Sequence, residues 1–273
     1  YQFSVAIRTA VVDHDAAMAE YGVGGGVVWD SVADEEWKES LVKARILEQA
    51  QESFSLIETM LWKPVEGWFL LERHMTRLAN SARQFGFDFD AEAIRTSLDV
   101  LAHSLPPAPH KVRLLLSAKG ISLESSALDM SPLPSPYRLR LAIDPVDSPN
   151  GILYHKTTRR EIYDAAKRHC GECDDVLLWN ERGELTESCI ANLALKFGGE
   201  WFTPPVASGL LPGTFRQELI EKREIRVRVI NKDELSSAEE IGLINSVRGW
   251  MRNCMIMNTG LSMCLACVLL LAP

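Results

Sequence analysis

The sequence predicts a mixed chain of the α+β or α/β kind, with two subdomains behind a shorter N-terminal piece. Three observations lead there. Apolar segments suited to strands interleave with amphipathic helical segments, but without strict βαβ regularity. A polar, turn-rich stretch, DPVDSPNG, divides the strand-rich middle from the C-terminal part of the chain. The 273 residues are 47% hydrophobic and 24% charged, enough to bury one large core or two modest ones. No internal repeat or low-complexity run interrupts the pattern.

Taken in order, YQFSVAIRTAVVD reads as an alternating strand, AEYGVGGGVVWDS as a glycine-rich turn between strands, and DEEWKESLVKARIL as a helix with Asp34 and Glu35 in its first turn. A new unit starts at Phe54, after a boundary near Gln51. FSLIETMLW and WFLLE are strands around a turn. RHMTRLANSARQFGF is an amphipathic helix with Met75, Leu78, Ala82 and Phe85 at helical spacing, stopped by Gly86. Asp90 caps the next helix, which PPAP ends after His103. KVRLLLSA, ISLESS and YRLRLAI follow as strands. Beyond the linker, residues 157–169 read as a helix, and DVLLWN–ERGE–LTES as a strand–turn–strand unit. IANLALKF and EWFTPPV are strands, LLPGTFRQELIEK is a loop entering a helix, IRVRVI a strand, KDELSSAEEI a helix and GLINSV a last strand. The division is residues 1–50, 51–143, a linker at 144–150, 151–252, and an apolar tail at 253–273.

Charge and cysteine usage exclude several classes. The net charge is −8 and no lysine/arginine run is present, which argues against a nucleic-acid or anionic-membrane surface. The opening YQFSVAIRT has no basic n-region or cleavage site and no initiator methionine, so the sequence is expected to begin inside a longer reading frame and to act in the cytoplasm. Two C-x-x-C pairs, Cys170/Cys173 and Cys264/Cys267, have the spacing of a four-thiolate zinc site. The second pair sits in an apolar tail without turn residues, so free thiols are the expectation.

The stretch YHKTTRREIYDAAKRHCGECDDVLLWNERGELTESCIAN holds the candidate chemistry. Lys156 sits where a β-rich run gives way to a helical one, and Glu187 closes the strand–turn–strand unit. Either can be a surface charge. A partly desolvated lysine, however, is neutral often enough to condense with an aldehyde, and a carboxylate can hold a pyridine nitrogen protonated. The wording HKTT-R, DDVLLWNERGELTES-IANL and TPPVASGLLPGTFR resembles, in that order, the 4-amino-4-deoxychorismate lyases. These belong with the branched-chain and D-amino acid aminotransferases, the fold-type IV pyridoxal-phosphate enzymes.

That resemblance implies pyridoxal 5′-phosphate as cofactor. Lys156 would bind it covalently, Glu187 would face its ring nitrogen, and Arg77, Thr214, Phe215 and Ser246 would hold its phosphate. Taken singly, Arg77 is also what a solvated helix arginine looks like, and Ser246 a strand-end hydroxyl. Thr59, on SLIETM, is a proton donor to a leaving enolpyruvate or simply a β-former on a strand. The implied reaction turns aminodeoxychorismate into 4-aminobenzoate and pyruvate in folate synthesis, with a homodimer as the working form. An aminotransferase, or an inactive fragment, is the alternative.

IRT, YGVGGGVVWDS and E-x-x-E-x-x-x-K resemble the closing segment of chorismate-utilising enzymes such as aminodeoxychorismate synthase component I. This implies Arg8, Gly24 and Gly25 as chorismate-carboxylate binders, Glu39 as a Mg2+ ligand and Lys43 close by, in a remnant too short to catalyse. Glu36, Glu39 and Lys43 also share one helix face, as a solvated salt-bridge face would. An intact synthase would work with a glutamine amidotransferase. The tail, ending SMCLACVLLLAP, departs from the lyase pattern, and a frameshift or truncated gene model is expected rather than a membrane anchor.

Overall fold

The computed structural model describes residues 9–13, 15, 16, 18–23, 29, 31–48, 54–131 and 134–257. They fall into two compact units, Tyr1–Ser53 and Phe54–Pro273. In the first, β1 (Thr9–Asp13) and β2 (Met18–Gly22) form an antiparallel pair with Val11 opposite Glu20. Asp13 closes the turn by accepting the N–H groups of Asp15 and Ala16, each at 3.0 Å. Helix α1 (Ala33–Glu48) opens with Asp34, Glu35 and Glu36, whose charges suit the positive end of the helix dipole.

The second unit starts with β3 (Leu56–Lys63) and β4 (Gly67–Trp68), followed by helices α2 (Leu71–Phe85) and α3 (Ala91–Ser104). Strands β5 (His110–Ser117) and β6 (Gly120–Ala127) complete an antiparallel sheet of order β4-β3-β5-β6. Helix α2 ends at Gly86, where φ is +70° and the N–H bonds to the Ala82 carbonyl, a conformation a side chain would resist. Helix α3 starts at Asp90, whose carboxylate accepts from the N–H groups of Glu92 and Ala93. Leu56 and Met60 from β3, Leu78 from α2, Ile94 and Leu98 from α3 and Leu114 from β5 make one core.

After β7 (Tyr137–Leu141) and a 3-10 turn at Gly151–Tyr154 come α4 (Glu161–Arg168), β8 (Asp175–Trp179), β9 (Leu185–Ser188), β10 (Asn192–Phe197) and β11 (Glu200–Thr203). Helix α5 (Thr214–Glu221), β12 (Arg226–Val227), β13 (Glu240–Asn245), β14 (Gly249–Met251) and β15 (Cys254–Ile256) follow. The sheet runs β12-β11-β10-β9-β8-β7-β15, with β13 on β10 and β14 on β13. It is mixed: β7 pairs in parallel with β8 and β15, and β10 antiparallel with β9, β11 and β13. Among the described residues no helix is long and apolar enough to cross a membrane.

Five expectations need correction. WFLLE is a strand only at Trp68: Phe69 and Leu70 turn, and Leu71 and Glu72 already belong to α2. The segment after Lys156 is extended, not helical, until Glu161, because the Lys156 carbonyl accepts from Ile57 N–H and the Thr158 N–H donates to Ser55. β-Branched Thr157 and Thr158 suit that pairing. IRVRVI contributes only the two ladder residues of β12, and KDELSS makes a 3-10 turn, Lys232–Ser237, closed by an Asn231/Glu234 capping box before extended Ala238 ends it. Cys170 and Cys173 are joined as a disulfide rather than free, since the turn after α4 sets their Cα atoms 5.3 Å apart. Cys264 and Cys267 lie outside the described residues.

Leu78 is 1% exposed, so Leu78→Ala is expected to cost about 2–5 kcal/mol, whereas Asp90→Ala, a lost helix cap, costs about 1 kcal/mol. Urea unfolding of the two variants checks the order. Equal costs would mean that α2 does not bury Leu78 in this core.

Candidate active site

Lys156 is placed by its own backbone. Its carbonyl is tied to Ile57 of β3 at 2.8 Å, and Leu56 bridges to Thr157, so the lysine extends this sheet edge at the floor of a cavity of about 480 Å3. Burial pushes its amine down to about 8, and the positive charges of Arg77 and Arg160 add to the effect while Glu58 and Glu187 oppose it. A substantial fraction of this amine is therefore neutral near physiological pH, and a neutral amine is a nucleophile and a base.

Glu187 faces the same cavity from the end of β9. Its carboxylate is 4% exposed and accepts from the Tyr163 hydroxyl (2.8 Å), the Leu211 N–H (3.2 Å) and the Asn192 amide (3.1 Å). Burial raises its pKa to about 7 in spite of those donors and of Lys156 and Arg160 nearby. Tyr163 is driven well above the usual phenol range by its own burial and by the charge on Glu187, so it stays a donor. Three donors leave part of the carboxylate's acceptor capacity free for a protonated ligand atom.

Asn192 is fixed by facing Glu187 across β10 and β9 and by donating to the Leu211 carbonyl at 2.9 Å. A Cβ at Gly213 would lie 1.9 Å from the Asn192 Oδ1, so any other residue here would push the Asn192 side chain from its place. Thr214 and Phe215 then open that helix, with backbone N–H groups that have no partner within it. Such a helix start is a natural seat for an anion.

Behind Arg77 and Thr214, which line the cavity, lies a buried ionic knot. Glu58, 2% exposed on β3, takes Arg77 bidentately at 2.8 and 2.5 Å and His74 Nδ1 at 2.6 Å. Arg77 also donates to the Pro212 carbonyl at 3.2 Å, and the other ring nitrogen of His74 meets the Thr214 hydroxyl at 3.3 Å. Burial works to raise Glu58, but the charges and hydrogen bonds of Arg77 and then His74 outweigh it and hold the carboxyl at about 2. Ser246 donates to the Thr59 carbonyl at 3.3 Å, joining the end of β13 to β3. Lys111, Arg113, Arg160 and Arg248 add cationic side chains to the cavity lining.

Lys156, Glu187, Arg77, Thr59, Thr214, Phe215 and Ser246 all line this one cavity. Arg8, Gly24 and Gly25 lie outside the described residues, as does the side chain of Lys43; Glu39 is on the exposed surface of α1. Among the described residues no group of three or more His, Cys, Asp or Glu side chains converges to hold a metal ion. Sequence reasoning missed Glu58, His74, Tyr163 and Asn192. Glu58 had a signal: it alternates with Leu56 and Met60 on a buried strand face, where a carboxylate needs a partner. His74, three residues before Arg77 on the same helix, had the matching spacing.

Residues 55–254 match the family described as amino-transferase class IV, and residues 1–49 match the chorismate binding enzyme family. A Schizosaccharomyces pombe protein named "Putative aminodeoxychorismate lyase" is 32% identical over 206 residues, spanning 72% of this chain and 87% of its own length. A solved "Putative amino-acid aminotransferase" from Mesorhizobium loti is 35% identical with a TM-score of 0.68, covering 75% of this chain and all of that one (100%). A hypothetical aminotransferase from Mycobacterium tuberculosis, solved in a PLP-bound form, shares the fold at a TM-score of 0.64 and 20% identity, covering 74% of this chain and 81% of its own.

The fold implies pyridoxal phosphate, and the residues present fit it. A desolvated amine, a buried carboxylate with spare acceptor capacity, an arginine beside a helix start whose bonds to Glu58 and Pro212 leave two of its five N–H donors over, and a glycine where a Cβ would strike Asn192 are the set such a cofactor needs. With a 200-residue match and this cavity at its centre, the chain belongs to the class IV amino-transferase family and has the fold of the fold-type IV pyridoxal-phosphate enzymes.

Proposed function

We propose that this chain is a 4-amino-4-deoxychorismate lyase, yielding 4-aminobenzoate and pyruvate, in a fusion with aminodeoxychorismate synthase component I. The observation that carries the reading is the order of matches in one chain: a chorismate binding segment at 1–49 directly ahead of a class IV unit at 55–254. An upstream enzyme that makes an amino-chorismate is usefully joined to one that consumes it. The similarity to the S. pombe protein supports the same reaction. So does the cavity lining, because Lys111, Arg113 and Arg248 suit a substrate with two carboxylates. We further propose a cytoplasmic homodimer, with a glutamine amidotransferase as partner of the intact synthase.

Bound pyridoxal phosphate supplies an electron sink for the bond broken at the substrate carbon that bears nitrogen. Arg77 and the first N–H groups of α5 would hold its phosphate, and Glu187 would keep its ring nitrogen protonated. Lys156, desolvated to a pKa of about 8, takes the proton from that substrate carbon. Thr59, half-buried in the cavity wall, donates to the departing enolpyruvyl oxygen. The C–O bond breaks, the ring becomes aromatic, and no oxidant or second substrate is needed.

An aminotransferase is the second reading, favoured by the M. loti likeness. It uses the same Lys156 and Glu187 but needs a 2-oxo acid acceptor. The purified protein with pyridoxal phosphate is expected to release pyruvate from aminodeoxychorismate without any acceptor, and Lys156→Ala to lower that rate by about 10²–10⁴-fold. Pyruvate that forms only when an acceptor is added would move the assignment to the aminotransferase.

Two further outcomes follow from the geometry. Capture of pyridoxal phosphate needs the neutral amine, so its rate should climb with pH and level off above about 8. Mixing apo-protein with cofactor and following absorbance from about pH 6.5 to 9.5 tests this; an ordinary lysine would keep accelerating toward about 10.4. Gly213→Ala forces Asn192 aside and breaks its bond to Glu187, so cofactor affinity should drop about tenfold or more in a fluorescence titration.

A further inference from the structure

We infer that Glu58 and His74 are positioning residues of the anion cradle, and that His74 takes up one proton from solvent when a phosphate dianion seats at the start of α5, turning the Thr214 hydroxyl from the imidazole to the anion. The inference rests on the cofactor reading above and goes beyond it to the residues that stand behind the cradle.

The argument begins with hydrogen-bond accounting. Glu58 is ionised and can only accept, so His74 Nδ1, 2.6 Å away, carries a hydrogen. His74 is 1% exposed, and desolvation lowers its pKa despite the charge of Glu58, with Arg77 and Lys156 adding repulsion. The ring is therefore neutral before an anion binds, and its Nε2 is a bare acceptor. The Thr214 hydroxyl, 3.3 Å from that nitrogen, is the donor to it. A hydroxyl has one hydrogen, so Thr214 commits its donor to His74 and turns only lone pairs toward the cradle. Lone pairs facing a phosphate repel it.

An arriving dianion changes both sides of this balance. It offsets the positive charges of Arg77 and Lys156 that disfavour a charged imidazole. It also offers the Thr214 hydrogen a stronger, charged acceptor. Once Nε2 is protonated it donates to the Thr214 oxygen, and the hydroxyl hydrogen is released to the anion. Only N–H and O–H bonds are involved, and bulk solvent supplies the one proton. The charged groups bearing on His74 are Glu58 from β3, Arg77 from its own helix and Lys156 from the segment paired with β3; α5 contributes the neutral Thr214. Glu58 meanwhile compensates Arg77, so the arginine is held in place before any ligand arrives.

The test compares pyridoxal 5′-phosphate with pyridoxal, which lacks the anion, on wild type, His74→Gln and Thr214→Val. Calorimetry in buffers of different ionisation heat counts protons taken up. Covalent capture by Lys156 is common to both ligands, so the difference between them isolates the phosphate, and the phosphate's own titration is common to all three proteins. The wild type should take up close to one more proton with the phosphorylated ligand than either variant does. Its affinity for that ligand should fall with rising pH more steeply than that of His74→Gln, by up to about tenfold per pH unit. The glutamine offers a permanent N–H and needs no proton; Thr214→Val removes the hydroxyl and decides the matter should His74→Gln not fold. Equal proton counts in the wild type and the variants overturn the inference while leaving the cofactor reading intact. A wild type that binds neither ligand overturns the cofactor reading itself.

Discussion

An ionised carboxylate with almost no solvent contact must be matched by its neighbours, and the match at Glu58 organises this unit. Its two oxygens are taken by the fork of Arg77 and by His74, so β3 and α2 have one mutual orientation that satisfies all three groups. Removing one partner of such a buried set leaves a charge unmatched, at a cost of about 3–5 kcal/mol. Through the Pro212 carbonyl and the Thr214 hydroxyl the same knot reaches the loop and helix that complete the cradle. Strand pairing then adds Lys156, because β3 bonds to its carbonyl as well. The cradle and the reactive amine are thus referenced to a single strand.

Across the cavity, desolvation acts on Lys156 and Glu187 in opposite directions and drives both toward neutrality, to about 8 and about 7. Glu187 retains Tyr163, Asn192 and the Leu211 N–H, which orient the carboxylate without cancelling the effect of burial. A site whose acid and base titrate this close to neutrality can move protons at little cost. Arg77, its fork held by Glu58, serves a different end, since its charge does not change over that range.

Motif order alone made Lys156, Glu187, Arg77, Thr59, Thr214, Phe215 and Ser246 legible as a set, and they line one cavity. The mixed sheet class, the two capped helices and the strand–turn–strand unit were readable from apolar spacing and from Asp90 and Gly86. The extended run at residues 156–160 was not. Its conformation is set by hydrogen bonds to Ser55 and Ile57, about a hundred positions earlier, and local periodicity carries no trace of a distant partner. The Cys170–Cys173 disulfide was equally hidden, since spacing permits a bridge, a metal site or free thiols alike.

The amino-acid sequence by itself determined which chemistry was available: an amine, a carboxylate, a guanidinium and a glycine turn at a helix start, in a recognisable order along the chain. Only the tertiary structure decided their working states. Ionisation depends on how much water each group loses and on which charges stand beside it, and those quantities exist only once β3, α2, β9, β10 and the start of α5 have closed around the same space. Glu58 and Asn192 make the point together: local sequence marks Glu58 only as a carboxylate that needs some partner and Asn192 not at all, yet one holds the arginine and the other holds the glutamate, because strand register placed them there.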